Sequence, residues 1–92
     1  MDQIFKALAD PTRRLILDEL AERRSQTLYE LCTRLIMKHH VDMSRQAIVK
    51  HLTILETAGL VKTERRGRLK FLHFDDAPLR KITERWIQRV MQ

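Results

Sequence analysis

The chain is poor in the residues that staple or break a fold. It has one cysteine, Cys32, so no disulfide can form within it. Packing alone must hold the fold, which suits a reducing compartment. Two glycines and two prolines leave little room for flexible linkers. Aromatic residues make up only 5% of the chain, a thin supply for stacking the bases of single-stranded RNA. No apolar run approaches the roughly 20 residues that a membrane-spanning helix needs. The stretch Met1 to Lys6 lacks a signal-peptide pattern. There is no glycine-rich phosphate loop, paired-carboxylate motif or nucleophile elbow. These absences lead us to expect a cytoplasmic protein that is not an enzyme and carries no cofactor.

What is present is a charged, compositionally ordinary chain of 92 residues, enough for one small domain spanning 1–92. A domain of this size buries about two-thirds of its unfolded surface, so a second copy would add useful burial. Eighteen Lys and Arg stand against twelve Asp and Glu, a net charge of +6. The excess is clustered: Lys62, Arg65, Arg66, Arg68 and Lys70 fall in one short stretch. A polyanionic partner is the natural reading.

Apolar spacing and caps predict the elements. Ile4, Phe5 and Leu8 mark a short first helix. Asp10 caps a second, with Pro11 at its first position, where the missing N–H costs nothing. Leu15, Ile16 and Leu20 form its stripe, and Arg23 and Arg24 lie at its negative end. Thr27-Leu-Tyr-Glu30 is a capping box for a third helix carrying Leu28, Leu31, Cys32, Leu35 and Ile36. The pattern lapses from His39 to Met43. Ser44 caps a fourth helix with Ala47, Ile48, His51, Leu52 and Leu55 inward, and Gly59 ends it. Leu60–Arg65 and Leu69–Phe74 read as strands around a turn at Arg66-Gly67-Arg68. Asp76-Ala-Pro78 opens a last helix with Leu79, Ile82, Trp86 and Val90 on one side. The order ααααββα, mainly α with a small β-hairpin, is that of a winged helix-turn-helix.

The fourth helix turns Ser44, Arg45, Gln46, Val49, Lys50 and Thr53 outward. In the major groove Arg pairs with guanine and Gln with adenine, Val49 could pack on a thymine methyl, and Lys50 suits a phosphate. The plain alternative is a solvated polar face. The hairpin tip adds Arg65, Arg66 and Arg68, which suit a phosphate backbone or a narrow minor groove. Its plain alternative is charge that protects an edge strand, but five cations against the single Glu64 exceed that need.

Three ordered segments then carry a resemblance. Ala7-Leu-Ala-Asp-Pro-Thr-Arg-Arg-Leu-Ile-Leu17, Ser44-Arg-Gln-Ala-Ile-Val-Lys-His-Leu52 and Leu55-Glu-Thr-Ala-Gly-Leu-Val61 resemble the ArsR/SmtB family of bacterial repressors, over nearly the whole chain. The resemblance implies a homodimer that represses transcription from a palindromic double-stranded DNA operator. It also implies dimer contacts through the first and last helices, here Ile4, Phe5 and Leu8 with Leu79, Ile82, Trp86 and Val90.

Many members of that family respond to metal, and the familiar ligand sets are missing. A site of closely spaced cysteines has only Cys32 to draw on, followed by Thr33 and Arg34, so no soft-metal site is expected. A site on the last helix needs histidines, and none lies between Asp76 and Gln92. His39, His40 and Asp42 could in principle hold zinc, with a second subunit completing the shell, but three such residues in a polar turn are thin grounds, and a solvated loop is the simpler reading. His51 and His73 are expected to be structural. No metal or other cofactor is therefore expected, although a metal- or thiol-responsive sensor of another kind stays open, as does a winged-helix module that binds protein instead of DNA. The segment Ile36–Met43 is longer than the family's tight turn: either the third helix runs on through Lys38, or the loop bulges.

Overall fold

The computed structural model describes residues 2–87 and Val90. Five helices surround a three-stranded antiparallel sheet. The order is α1 (Asp2–Leu8), α2 (Pro11–Glu22), β1 (Gln26–Thr27), α3 (Leu28–Met37), α4 (Arg45–Thr57), β2 (Val61–Arg66), β3 (Leu69–Phe74) and α5 (Ala77–Ile82), followed by one wide π-type turn, Thr83–Ile87. Every expected helix is present, and so is the hairpin. The addition is β1, which pairs Gln26 with Leu72 and Thr27 with Phe71, giving the strand order β1-β3-β2. Among the described residues no helix is long and apolar enough to cross a membrane.

The seven-residue α1 is too short to persist on its own. Arginines from α2 hold it. Asp10 caps α2 by accepting from the Arg13 N–H at 3.0 Å. This leaves Arg13 and Arg14 in the first turn, where the helix dipole disfavours cations. Both guanidiniums turn back onto α1. Arg13 donates to the carbonyls of Ala7 (2.7 Å) and Lys6 (3.0 Å), and Arg14 to that of Leu8 (2.6 Å). The last carbonyls of α1, which have no partner within the helix, are thereby satisfied.

The junction from α2 to α3 turns on two buried polar residues, Glu19 and Gln26. The Gln26 amide donates to the carbonyls of Glu19 (3.0 Å) and Arg23 (2.9 Å), capping α2, and its oxygen accepts from Arg34 at 2.6 Å. Thr27 then starts α3 with the expected capping box, both of its bonds measuring 3.1 Å. Glu19 Oε2 accepts from Lys38 at 3.2 Å and from His39 at 3.0 Å. Burial pushes the Glu19 carboxyl upward, but the hydrogen bonds from His39 and Lys38 outweigh it and hold the group below its ordinary range.

These contacts resolve the long segment between α3 and α4. The helix stops at Met37, with Lys38 as its cap, and a bulged loop follows. His40 takes the left-handed conformation, φ 55, and the Val41 N–H returns to the Leu35 carbonyl at 3.0 Å. Ser44 Oγ then accepts from the Ala47 N–H at 3.1 Å to begin α4. Gly59, at φ 78, ends α4 with two reversed bonds: Gly59 N–H to Glu56 (2.9 Å) and Leu60 N–H to Leu55 (3.0 Å). That pair of bonds is the Schellman stop, which requires a left-handed residue.

The hairpin differs by one position from the sequence reading. The first strand starts at Val61 and runs to Arg66, leaving Gly67-Arg68 as a two-residue turn. Gly67 has φ 61, as the first position of a type II′ turn demands. Val61 and Leu72 close the core over Ile16, Leu20, Leu31, Leu35, Ile48, Leu55 and Leu60. Each such side chain contributes about 1.5–3 kcal/mol by leaving water. Cys32 belongs to this core. Burial raises its thiol, against the lowering charge of Arg45, so the group is a packed and weakly nucleophilic one.

Candidate nucleic-acid interface

Along α4, Ile48, Leu52 and Leu55 are buried, while Arg45, Gln46, Val49, Lys50 and Thr53 are exposed on the opposite side. Two hydroxyls at this face are already engaged. Ser44 Oγ caps the helix, and Thr53 Oγ1 donates to the Val49 carbonyl at 3.0 Å. The side chains of Arg45, Gln46 and Lys50 remain as the longer polar groups of the face.

The tilt of α4 is fixed from beneath. Arg13 Nη1 lies 3.2 Å from His51 Nδ1; arginine only donates, so the imidazole nitrogen accepts. Asp10 Oδ2 lies 3.8 Å from the same nitrogen. Burial raises the Asp10 carboxyl, yet the Arg13 N–H and the Arg13 charge outweigh it and hold the group low. His51 is therefore structural, as expected, and Asp10, Arg13 and His51 join α1, α2 and α4 at one point.

In the hairpin, strand alternation separates two sets of cations. Val61, Thr63 and Arg65 share one face with their register partners Phe74, Leu72 and Lys70. Val61 and Leu72 are buried, so Arg65 and Lys70 extend the core-facing side beyond the core. Glu64, Arg66, Phe71 and His73 share the other face. Arg68 occupies the turn. Among the described residues no carboxylate pairs with Lys62, Arg65, Arg68 or Lys70, whereas Arg66 pairs with Glu64.

Among the described residues no group of three or more His, Cys, Asp or Glu side chains gathers around a common point. The His39 ring is turned onto Glu19, and His40 is exposed. His73 Nε2 lies 3.1 Å from Glu64 Oε2, without the geometry of a hydrogen bond.

Sequence reasoning did not find Glu19, Gln26 or the bridging role of Arg13. Two signals for them exist. Glu19 is an acid among the apolar positions Ile16 and Leu20, and Arg13 is a cation at the wrong end of a helix dipole.

Residues 8–64 match the model of a helix-turn-helix domain family. The fold superposes on an ArsR-like transcriptional regulator from Rhodococcus sp. RHA1 with a TM-score of 0.78 and 39% identity, covering 97% of this chain and 74% of that one. The chain belongs to the ArsR/SmtB family of winged helix-turn-helix transcriptional regulators. Similar chains to this ArsR-type regulator include the uncharacterized HTH-type transcriptional regulator YuzN of Bacillus subtilis (strain 168), 55% identical over 95% of each protein. The transcriptional repressor SdpR of the same strain is 35% identical over 74% of this chain and 68% of its own. In this ArsR-type regulator, α3 and α4 are the helix-turn-helix, and β2 and β3 are the wing.

Proposed function

We propose that the chain is a transcriptional repressor that binds a palindromic operator as a homodimer in the cytoplasm, with residues 1–92 acting as one domain and without catalysis. The observation that carries this reading is the capped, exposed face of α4 beside a wing whose cations mostly lack partners. Arg45 and Gln46 are the base readers, with Val49 against a thymine methyl. Lys50, Thr53 and Ser44 serve the backbone beside them. Arg65 and Arg68, with Lys70, bind phosphates at the wing. SdpR, whose name is that of a repressor, supports repression over activation.

Dimerisation is assigned to α1 and to α5 with its following turn. Ile4, Leu8 and Leu79 are half-buried on the core, while Phe5, Trp86, Ile87 and Val90 stand exposed. Ile4 and Ile82 line one cleft of about 310 Å³ with Ala58, Pro78 and Lys81, which puts apolar residues of α1 and α5 on one surface. Such a surface on a small protein marks an interaction site. Two copies would place two α4 helices in successive major grooves, about 34–36 Å apart.

The experiment is selection of bound duplexes from a random pool, followed by titration of the winner across a salt series. A two-fold symmetric site and affinity falling steeply with salt are expected. Enrichment of no sequence, or binding indifferent to salt, would point instead to a protein-interaction module.

A further inference from the structure

The wing holds one carboxylate among its cations, and that carboxylate is fully engaged. Glu64 and Arg66 are two residues apart on β2 and so project from the same face. Arg66 Nε donates to Glu64 Oε1 at 3.1 Å, and Nη2 donates to Oε2 at 3.2 Å. The guanidinium carbon lies 4.9 Å from the centre of the Phe71 ring, the register partner of Glu64. His73 Nε2 approaches Oε2 from the neighbouring strand at 3.1 Å. The hydrogen bonds and charge of Arg66 hold the Glu64 carboxyl below its ordinary range, and Glu64 raises Arg66 in turn.

Arg66 is therefore neutralised within its own hairpin, while Arg65, two positions before the turn and on the opposite face, and Arg68, in the turn, have no such partner among the described residues. A phosphate approaching Arg66 would meet a carboxylate at hydrogen-bond distance from the same guanidinium. It would also have to break a two-point contact and a stacked geometry. The released counterion that makes a cation worth recruiting to DNA is not available from a neutral pair.

We infer that Glu64 is a latch that withholds Arg66 from DNA, leaving Arg65, Arg68 and Lys70 as the wing's phosphate contacts. Glu64 is thus a positioning residue that sets the strength of the wing's grip. The inference rests on the DNA-binding reading above. It revises the expectation that all three wing arginines contact DNA alike.

The test is a double-mutant cycle on the full chain. Binding of a selected duplex would be followed by fluorescence anisotropy across a salt series for wild type, Glu64→Gln, Arg66→Ala and the double variant. All these positions are exposed, and circular dichroism would confirm that each variant folds. Glu64→Gln is expected to bind about two- to fivefold tighter, the range of a released surface pair. Its plot of log affinity against log salt should steepen by about one, the mark of one more phosphate contact. Arg66→Ala should bind close to wild type, and Glu64→Gln should change neither affinity nor slope in that background.

An equal gain in the Arg66→Ala background would show Glu64 to be a repelling charge that acts without Arg66, and would overturn the latch. Weaker binding by Glu64→Gln would also overturn it, because Glu64 would then be presenting Arg66 to DNA. If wild-type protein binds no duplex at any salt, the DNA-binding reading falls first, a result unlike either of these.

Discussion

Glu19 accepts from His39 at 3.0 Å across 20 residues of sequence. The carboxylate is buried in α2, and the imidazole is the first residue past the α3 cap. With Lys38 also on Glu19, the contact pins the loop that delivers α4 to its place.

The ion cluster predicts a pH response. The folded Glu19 carboxyl lies below its ordinary value of 4.5. Its stabilisation is then fully present above pH 4.5 and is lost as pH falls through the lowered folded value. Glu19→Gln should cost about 1–3 kcal/mol at neutral pH, the worth of hydrogen bonds to a charged group. The gap from wild type should narrow in acid. Urea titrations at several pH values measure both. Equal stability at neutral pH would remove Glu19 from its assigned role.

His40 is the one residue other than glycine with positive φ among those described. The left-handed conformation costs a residue with a Cβ energy that glycine avoids, partly offset by the freedom glycine gains when unfolded. His40→Gly should raise stability by up to about 1 kcal/mol. The denaturation midpoint should rise with an unchanged slope. A lower midpoint would mean that the His40 side chain contributes more than its backbone strain costs.

Arg13→Ala should loosen α1 selectively. It removes the donors to the Lys6 and Ala7 carbonyls and the contact to His51. We expect a loss of about 1–3 kcal/mol and faster hydrogen exchange in α1 and in α4 around His51. Lysine at this position should not restore protection, since it lacks the planar fork. Uniformly faster exchange throughout the chain would contradict the local role.

Replacing Arg45 and Gln46 by alanine should relax base preference at their positions, by about 1–3 kcal/mol for each lost bidentate contact, while leaving the dimer intact. Competition between the selected duplex and single-base variants measures this. Unchanged discrimination would mean that α4 is not the reader.

Trp86→Glu should give monomers and much weaker operator binding. Trp86 is exposed, with the Arg85 guanidinium 5.0 Å from its ring, so the change leaves the core alone. Sedimentation velocity is the measurement, and a variant that stays dimeric would move the interface elsewhere.

Much of the fold is legible in the chain because its signals are local. A cap at Asp10, Thr27 or Ser44 acts within three residues, and each is found as expected. The stop at Gly59 needs only one left-handed residue. The apolar stripes of α2, α3 and α4 repeat at helical spacing. The neighbouring positions Glu64 and Arg66 share a face by strand alternation alone, so even their pairing had a signal in period two.

Other features are decided by partners distant in sequence. Two residues, Gln26 and Thr27, carry no periodicity, and they become a strand only because β3 offers them an edge. Glu19 and Gln26 look like surface residues until α2, α3 and the loop close over them and give every side-chain polar atom of the two a partner except Glu19 Oε1, which faces Arg34 at 3.9 Å.

By itself, then, the sequence determined the helices, the hairpin, the outward face of α4 and the clustering of charge, because those depend on spacing and on caps within a few residues. The tertiary structure alone decided where α3 stops, how the lengthened loop is anchored and how α1 is held. Each of these depends on two side chains meeting at hydrogen-bond distance, and linear spacing does not encode which distant groups a folded chain brings that close.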